Sequence, residues 1–309
     1  MPIARLQNIN KSFGPDQVFE DLSLDIFKNE KIGLIGANGS GKTTVLKLIA
    51  GLETPDKGHA ILNKGIRIGY LPQEAVLDSE STVMEQMHEA LDDLLRMHKK
   101  VNKLAEGIED IPENQLRKHL TEYDRLSHRF ELAGGYRYEK NIEKTLKGLG
   151  LSPGIYHHKI SSLSGGQKSR VGLARILVRQ TDLLLLDEPS NHLDLQACSW
   201  LERFINDYSG AVIIISHDRF MLDKTVSRIV EIKAKNVESW RGNYTAYLES
   251  SRRESLARER QLTKRREFIN RTRDFIARNK DQEGMRGTAR GRKKYLNRLL
   301  KNNPDYLEE

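Results

Sequence analysis

Two glycine-rich segments constrain this chain more than anything else in it. GANGSGKT runs from Gly36 to Thr43, and LSGGQ runs from Leu163 to Gln167, ahead of LLLLDEP at Leu183–Pro189. The first follows the apolar run Ile32–Ile35 and precedes Lys42–Ala50, where apolar residues recur at helical spacing. Strand, glycine loop and helix in that order let successive backbone N–H groups converge on phosphate oxygens, because no Cβ stands in the way. The candidate cradle is Gly36, Ala37, Asn38, Gly39, Ser40, Gly41, Lys42, Thr43 and Thr44. In a GxxxxGK[ST] loop the lysine, here Lys42, reaches the β- and γ-phosphates, and the hydroxyl of Thr43 ligates Mg²⁺.

The acidic partners follow from LLLLDEP. Asp187 ends a four-leucine strand, where a buried carboxylate holds the water shell of Mg²⁺. Glu188, one residue on, is placed to orient or deprotonate an attacking water. Ser164, Gly165, Gly166 and Gln167 stand at the start of a helix expected over Lys168–Arg179, which makes them an anion site by geometry. A glycine turn with a helix cap at Ser164 is the plainer alternative.

Charge divides the chain. Of the net +8, residues 251–309 hold 18 Lys/Arg against 9 Asp/Glu, leaving 33 basic and 34 acidic residues elsewhere. A basic end of this kind points to a polyanion, and a solvated charged helix is the competing reading. The apolar runs Leu183–Leu186 and Ala211–Ile215 are too short to span a bilayer. Cys198 is the sole cysteine, which excludes an internal disulfide and fits a reducing compartment. The chain is expected to be cytoplasmic, with no membrane partner.

The pattern along the chain predicts an α/β fold. Short strands surround one helix over residues 2–72. A long helix with an apolar stripe from Val83 to Leu104 is interrupted at Gly107 and Pro112. A second helix carries Leu116, Leu120, Tyr123 and Phe130, and a third short one spans Tyr136–Leu149. From Ser164 helices and strands alternate, as a largely parallel sheet requires. A polar helix runs from Tyr244 to about Gln282, with Leu262, Ile269 and Ile276 spaced by seven. Gly284, Gly287 and Gly291 are read as a break before a further helix over Lys293–Lys301.

The quoted segments resemble the ATP-binding cassette superfamily over roughly residues 1–240. The resemblance implies ATP and Mg²⁺ as ligands, with Thr43, Gln73 and Asp187 around the metal. By the same resemblance Gln73 matches a loop glutamine that senses γ-phosphate, and His217, in IIISHD, matches a switch histidine that acts with Glu188. Phe13, in KSFG, matches the aromatic that stacks on adenine, with a core position as its alternative. The SGGQ residues of one such cassette contact the nucleotide of another, so this chain holds two halves of two different sites.

Within that superfamily three details are similar to the ABC-F branch. SNHLD, Ser190 to Asp194, follows the glutamate; 90 positions separate Gln73 from Leu163; and a basic helical segment follows the cassette. The resemblance implies a P-loop nucleotide-binding domain over residues 1–242 with a helical arm at about 83–132, then a basic α-helical hairpin linker over 243–309. It also implies a ribosome partner, both rRNA and P-site tRNA, with Arg286, Arg290, Arg292, Lys293 and Lys294 as candidate RNA contacts. The expected second cassette is absent before Glu309. A fragment of a tandem protein and a half-size form that pairs with another copy are the two readings. A transporter ATPase subunit explains residues 1–240 equally, and a duplex-DNA binder is a third reading of the basic end.

Overall fold

The computed structural model describes residues 1–73, 77–106, 112–280 and 284–302. The chain divides into two compact units, Met1–Tyr247 and Leu248–Glu309. No helix among the described residues is long and apolar enough to cross a membrane.

In the first unit, β1 (Ala4–Phe13) and β2 (Asp16–Ile26) form a hairpin, followed by β3 (Lys31–Gly36), α1 (Lys42–Ala50), β4 (Lys57–Leu62) and β5 (Ile68–Leu71). Three helices come next: α2 (Val83–Ala90), α3 (Asp92–Glu106) and α4 (Glu113–Leu132). Then follow α5 (Tyr138–Gly148), α6 (Gly165–Leu177), β6 (Leu183–Asp187), α7 (Leu195–Asp207), β7 (Ala211–Ile215), α8 (Arg219–Thr225), β8 (Arg228–Lys233) and β9 (Asn236–Arg241). The strands make two sheets, a three-stranded antiparallel one ordered β2-β1-β4 and a six-stranded one ordered β5-β6-β7-β3-β8-β9. The larger is parallel except at its β9 edge.

Strands β6 and β7 are buried at every residue, as an aliphatic run in a parallel sheet covered on both faces must be. Ile32 and Leu34 of β3 pack with Val45, Leu46 and Ile49 of α1, all at most 1% exposed. Each such side chain contributes about 1.5–3 kcal/mol by leaving water, which fixes the glycine loop between two rigid elements. Because β6, β7 and β3 are neighbours and parallel, their carboxyl ends at Asp187, Ile215 and Gly36 come together. Open α/β sheets bind ligands at that edge.

The structure departs from the sequence expectations in three places. The long helix from Val83 is two helices, since Leu91 takes a non-helical conformation as the C-cap of α2 and Asp92 and Asp93 start α3. The apolar stripe continues across this one-residue break, so periodicity does not register it. Strands β8 and β9 were not foreseen, because charged residues interrupt RIVEIK and NVESWR; β8 nevertheless lies against β3. The expected interruption at Gly107 falls outside the described residues, while Pro112 is the N-cap of α4.

The third departure is in the second unit. Helix α9 (Tyr244–Asn279) begins in the first unit, and α10 (Arg286–Asn302) contains Gly287 and Gly291 within its helical span. Helical glycine costs about 1 kcal/mol relative to alanine. Here that is offset by Ala289 and Leu296, which are buried as Ile269 and Thr272 of α9 are, and by the Arg292 guanidinium 3.9 Å from the Phe275 ring centroid. A Cβ at either glycine would meet nothing within 4 Å. Gly287→Ala and Gly291→Ala are therefore expected to stabilise α10. Amide hydrogen exchange across α10 should slow on the order of fivefold per replacement; unchanged exchange would mean the glycines carry no helical strain.

The boundary between units lies a turn inside α9 because that turn is held by the first unit. Asn243 Oδ1 caps it by accepting from Ala246 N at 3.1 Å, and Asp223 Oδ1 of α8 accepts from Thr245 N at 2.7 Å. Tyr247 is buried edge-on against Trp240 at 5.8 Å, and the Arg219 guanidinium lies 5.9 Å from the Tyr244 ring centroid.

Candidate nucleotide site

The loop from Gly36 to Gly41 is shaped by conformations that side chains resist. Gly41 adopts φ +96°, and a Cβ there would come within 2.5 Å of both Val18 and Phe19 of β2. Lys42 Nζ donates to the carbonyls of Gly36 and Ala37, each at 3.0 Å, so the ammonium lies against its own loop. Thr43 Oγ1 donates to Asp187 Oδ2 at 2.7 Å. That bond joins the first turn of α1 to the end of β6, 144 residues later in sequence.

Asp187 is buried, and desolvation pushes its carboxyl above the usual carboxylate range; the Thr43 hydrogen bond and the Lys42 charge oppose this. Glu188 is also raised, first by desolvation, with the His217 backbone N–H and side chain opposing and Asp187 reinforcing. Glu188 has φ +51°, a left-handed conformation that costs a non-glycine residue about 1–2 kcal/mol. It is held by Glu188 N donating to Ile215 O at 2.9 Å and by His217 N donating to Glu188 Oε2 at 3.3 Å. The imidazole Nε2 of His217 stands 3.4 Å from Glu188 Oε1.

Two buried side-chain oxygens here, Ser40 Oγ and Glu188 Oε1, have no hydrogen-bond partner. Orphaned buried polar atoms mark either strain or a site that a ligand completes. Backbone donors, an ammonium, a hydroxyl and two carboxylates share this edge, and that donor set fits a phosphate chain with a divalent cation. Thr43 and Asp187 would hold the cation, the loop amides and Lys42 would hold the phosphates, and the bound group would supply the phosphoryl chemistry.

The remaining candidates separate into two groups. Gln73 is exposed just beyond β5. Phe13 ends β1 and is 48% exposed with Lys11 Nζ 5.0 Å from its ring centroid, a surface position and not a core one. Ser164 and Gln167 bond each other, and among the described residues no hydrogen bond or ion pair joins them to the Gly36–Thr43 loop. Ser164 Oγ accepts from Gln167 N at 3.3 Å, and Gln167 Oε1 accepts from Ser164 N at 2.9 Å. This reciprocal capping box fixes the start of α6 and leaves the amides of Gly165 and Gly166 in its first turn. Arg286, Arg290, Arg292, Lys293 and Lys294 are exposed on α10 and not on a loop, with Arg292 engaged on Phe275.

Sequence reasoning missed three residues at this face. Tyr70 of β5 has a buried hydroxyl without a partner, and burial reinforced by Asp187 pushes it up to about 12. Leu195, 88% exposed, opens α7 after Asp194, and Phe220, 80% exposed, is the second residue of α8 after Asp218. Large apolar residues one and two positions after N-capping aspartates were the available signal.

The family description "ABC transporter" applies to two sequence models that match this chain, one over residues 19–191 and another over 230–308. The chain belongs to the ABC transporter family. Its nucleotide site is that of an ATP-binding cassette. The ATP-binding protein YdiF of Bacillus subtilis (strain 168) is 37% identical over 299 residues, covering 97% of this chain and 47% of YdiF. The ABC transporter ATP-binding protein YfmM of the same organism is 31% identical over 299 residues, 97% of this chain and 58% of YfmM. The energy-dependent translational throttle protein EttA of Escherichia coli (strain K12) is 34% identical over 273 residues, 88% of this chain and 49% of EttA. The chain thus spans about half the length of the curated relatives it matches. Among solved structures, an ATP-binding subunit of an ABC transporter superposes with a TM-score of 0.58 at 20% identity, covering 77% of this chain and 90% of that one. A dimeric cassette bound to ADP and Pi gives 0.55 at 21% identity, covering 77% and 98%. These likenesses establish the cassette fold.

Proposed function

We propose that this chain is a cassette and helical hairpin of an ABC-F ATPase that acts on the ribosome. One observation carries the reading: a separate, strongly basic pair of helices, α9 and α10, follows the cassette in the chain. The likeness to EttA, a translational throttle protein, extends over 88% of the chain and supports the same reading. ATP and Mg²⁺ bind at the Gly36–Thr44 loop with Asp187 and Gln73, and Phe13 stacks on the base. Glu188 activates the attacking water beside His217. Ser164 to Gln167 contact the nucleotide of a second cassette, and exposed Leu195 and Phe220 supply apolar area for that closure. Arg286, Arg290, Lys293 and Lys294 meet RNA phosphates of the ribosome or P-site tRNA; Arg292 contributes through its stacked guanidinium.

Reversing Arg286, Arg290, Lys293 and Lys294 to glutamate in the full-length protein should weaken ribosome co-sedimentation at least a hundredfold and flatten its salt dependence, while intrinsic ATP hydrolysis stays within about twofold. Unchanged co-sedimentation would overturn the reading. The superposition on a transporter's ATP-binding subunit favours a second reading, in which another chain supplies a membrane partner. Co-purification with a membrane protein, and none with ribosomes, would establish it.

A further inference from the structure

A second concave feature of the first unit lies at the opposite end of the sheet from the nucleotide loop. A groove of about 1030 Å³ opens beside the amino ends of β3, β6 and β7, between α5 and α7. Its cations are Lys28, Lys64, Arg67, Lys144, Arg179 and Arg203, and its only carboxylates are Asp182 and Asp207. These cations arrive from separate turns and helices, so they are not the solvated face of one element. Arg67 is committed to Asp182, at 3.6 Å, whereas Lys28, Lys64, Lys144 and Arg179 have no ion-pair partner among the described residues. The groove therefore carries +4 within a cassette region whose sequence is nearly balanced, with 33 basic and 34 acidic residues outside 251–309.

The floor is aromatic. Trp200, Phe204 and Tyr208 form a ladder along α7, with centroids 5.4 and 5.7 Å apart, and all three are half-buried. Trp200 is pressed against the bare backbone of α5, where a Cβ on Gly148 would collide with the indole. Asn63, Asn141 and Gln180 add side-chain amides to the walls. Cations alone would suit any polyanion. Aromatic edges and amides between the cations suit unpaired bases, for which stacking supplies about 1–3 kcal/mol each.

We propose that this groove binds a single-stranded segment of RNA, the phosphates on Lys28, Lys64, Lys144 and Arg179 and one base against Trp200. The choice of RNA as the polyanion rests on the translation reading; the groove itself can be tested without ribosomes. The chain has two tryptophans, Trp200 and Trp240, so a Trp240→Phe variant of the full chain makes Trp200 the sole indole reporter. Titration with an oligouridylate of about eight nucleotides at low salt should quench Trp200 emission. Lys144→Glu with Arg179→Glu should weaken that quenching tenfold or more, since both side chains are exposed and their loss spares the core. The four hairpin reversals described above should leave it in place.

An oligouridylate that binds by anisotropy while Trp200 emission stays constant would overturn the proposal, because the hairpin would then be the binding site. So would quenching unaffected by the Lys144 and Arg179 reversals. Equal quenching by a poly-glutamate peptide would replace RNA with an acidic protein segment. Ribosome co-sedimentation with a silent Trp200 would remove the groove alone, and quenching without co-sedimentation would remove the translation reading alone.

Discussion

Glu188→Gln is expected to slow ATP hydrolysis by about two to four orders of magnitude, the usual contribution of a positioned general base, while ATP binding is retained. The substitution keeps the shape of the side chain and an oxygen that accepts from His217 N, now at 3.3 Å. It removes the buried carboxylate oxygen that has no hydrogen-bond partner and that faces the imidazole at 3.4 Å. Because burial raises Glu188, the wild-type base also protonates at a higher pH than a free glutamate, so hydrolysis should fall as pH is lowered through that raised value. Single-turnover phosphate release, with binding of a fluorescent ATP analogue in parallel, measures both quantities. A rate within threefold of wild type would remove Glu188 from the chemistry. In the presence of ribosomes, the same variant should accumulate in the ATP-bound complex.

Gly41→Ala should be nearly as damaging, but through folding of the loop. A left-handed alanine costs roughly 1–2 kcal/mol, and fitting its methyl against Val18 and Phe19, each 2.5 Å away, costs typically 1–3 kcal/mol more. The loop shift that relieves the collision would displace the amide of Lys42 and the Thr43–Asp187 bond. Thermal melts should show a loss of about 2–5 kcal/mol, and nucleotide should no longer restore the lost stability. Phe19→Leu in the same chain should recover part of the loss by vacating the ring that the methyl strikes. If Gly41→Ala melts like wild type and binds ATP, the loop is not packed against β2 in the manner described.

What the sequence made legible was local. The Gly36–Thr43 loop is one contiguous segment at the end of β3, and Asp187 and Glu188 are another at the end of β6, so residue type and local spacing identified each on its own. Their coupling through Thr43 and Asp187 is a contact between distant segments, and spacing alone does not state it. The capping box of Ser164 and Gln167 was readable as S-x-x-Q, yet the anion site and the cap are the same residues, and only side-chain geometry shows both at once. Gly287 and Gly291 misled because isolated glycine reads as a breaker, whereas burial of Ala289 and Leu296 outweighs it. The cationic groove was invisible for a related reason. Its charges are scattered from Lys28 to Arg203, and a running charge census averages them away against acids on other surfaces.

The grip of the first unit on the start of α9 has a mechanical consequence. Helix α8 begins two residues after His217, is capped by Asp218, and supplies both Arg219 beneath Tyr244 and Asp223 to Thr245 N. A seven-residue helix, about 10 Å long, therefore ties the histidine at the nucleotide edge to the first turn of α9.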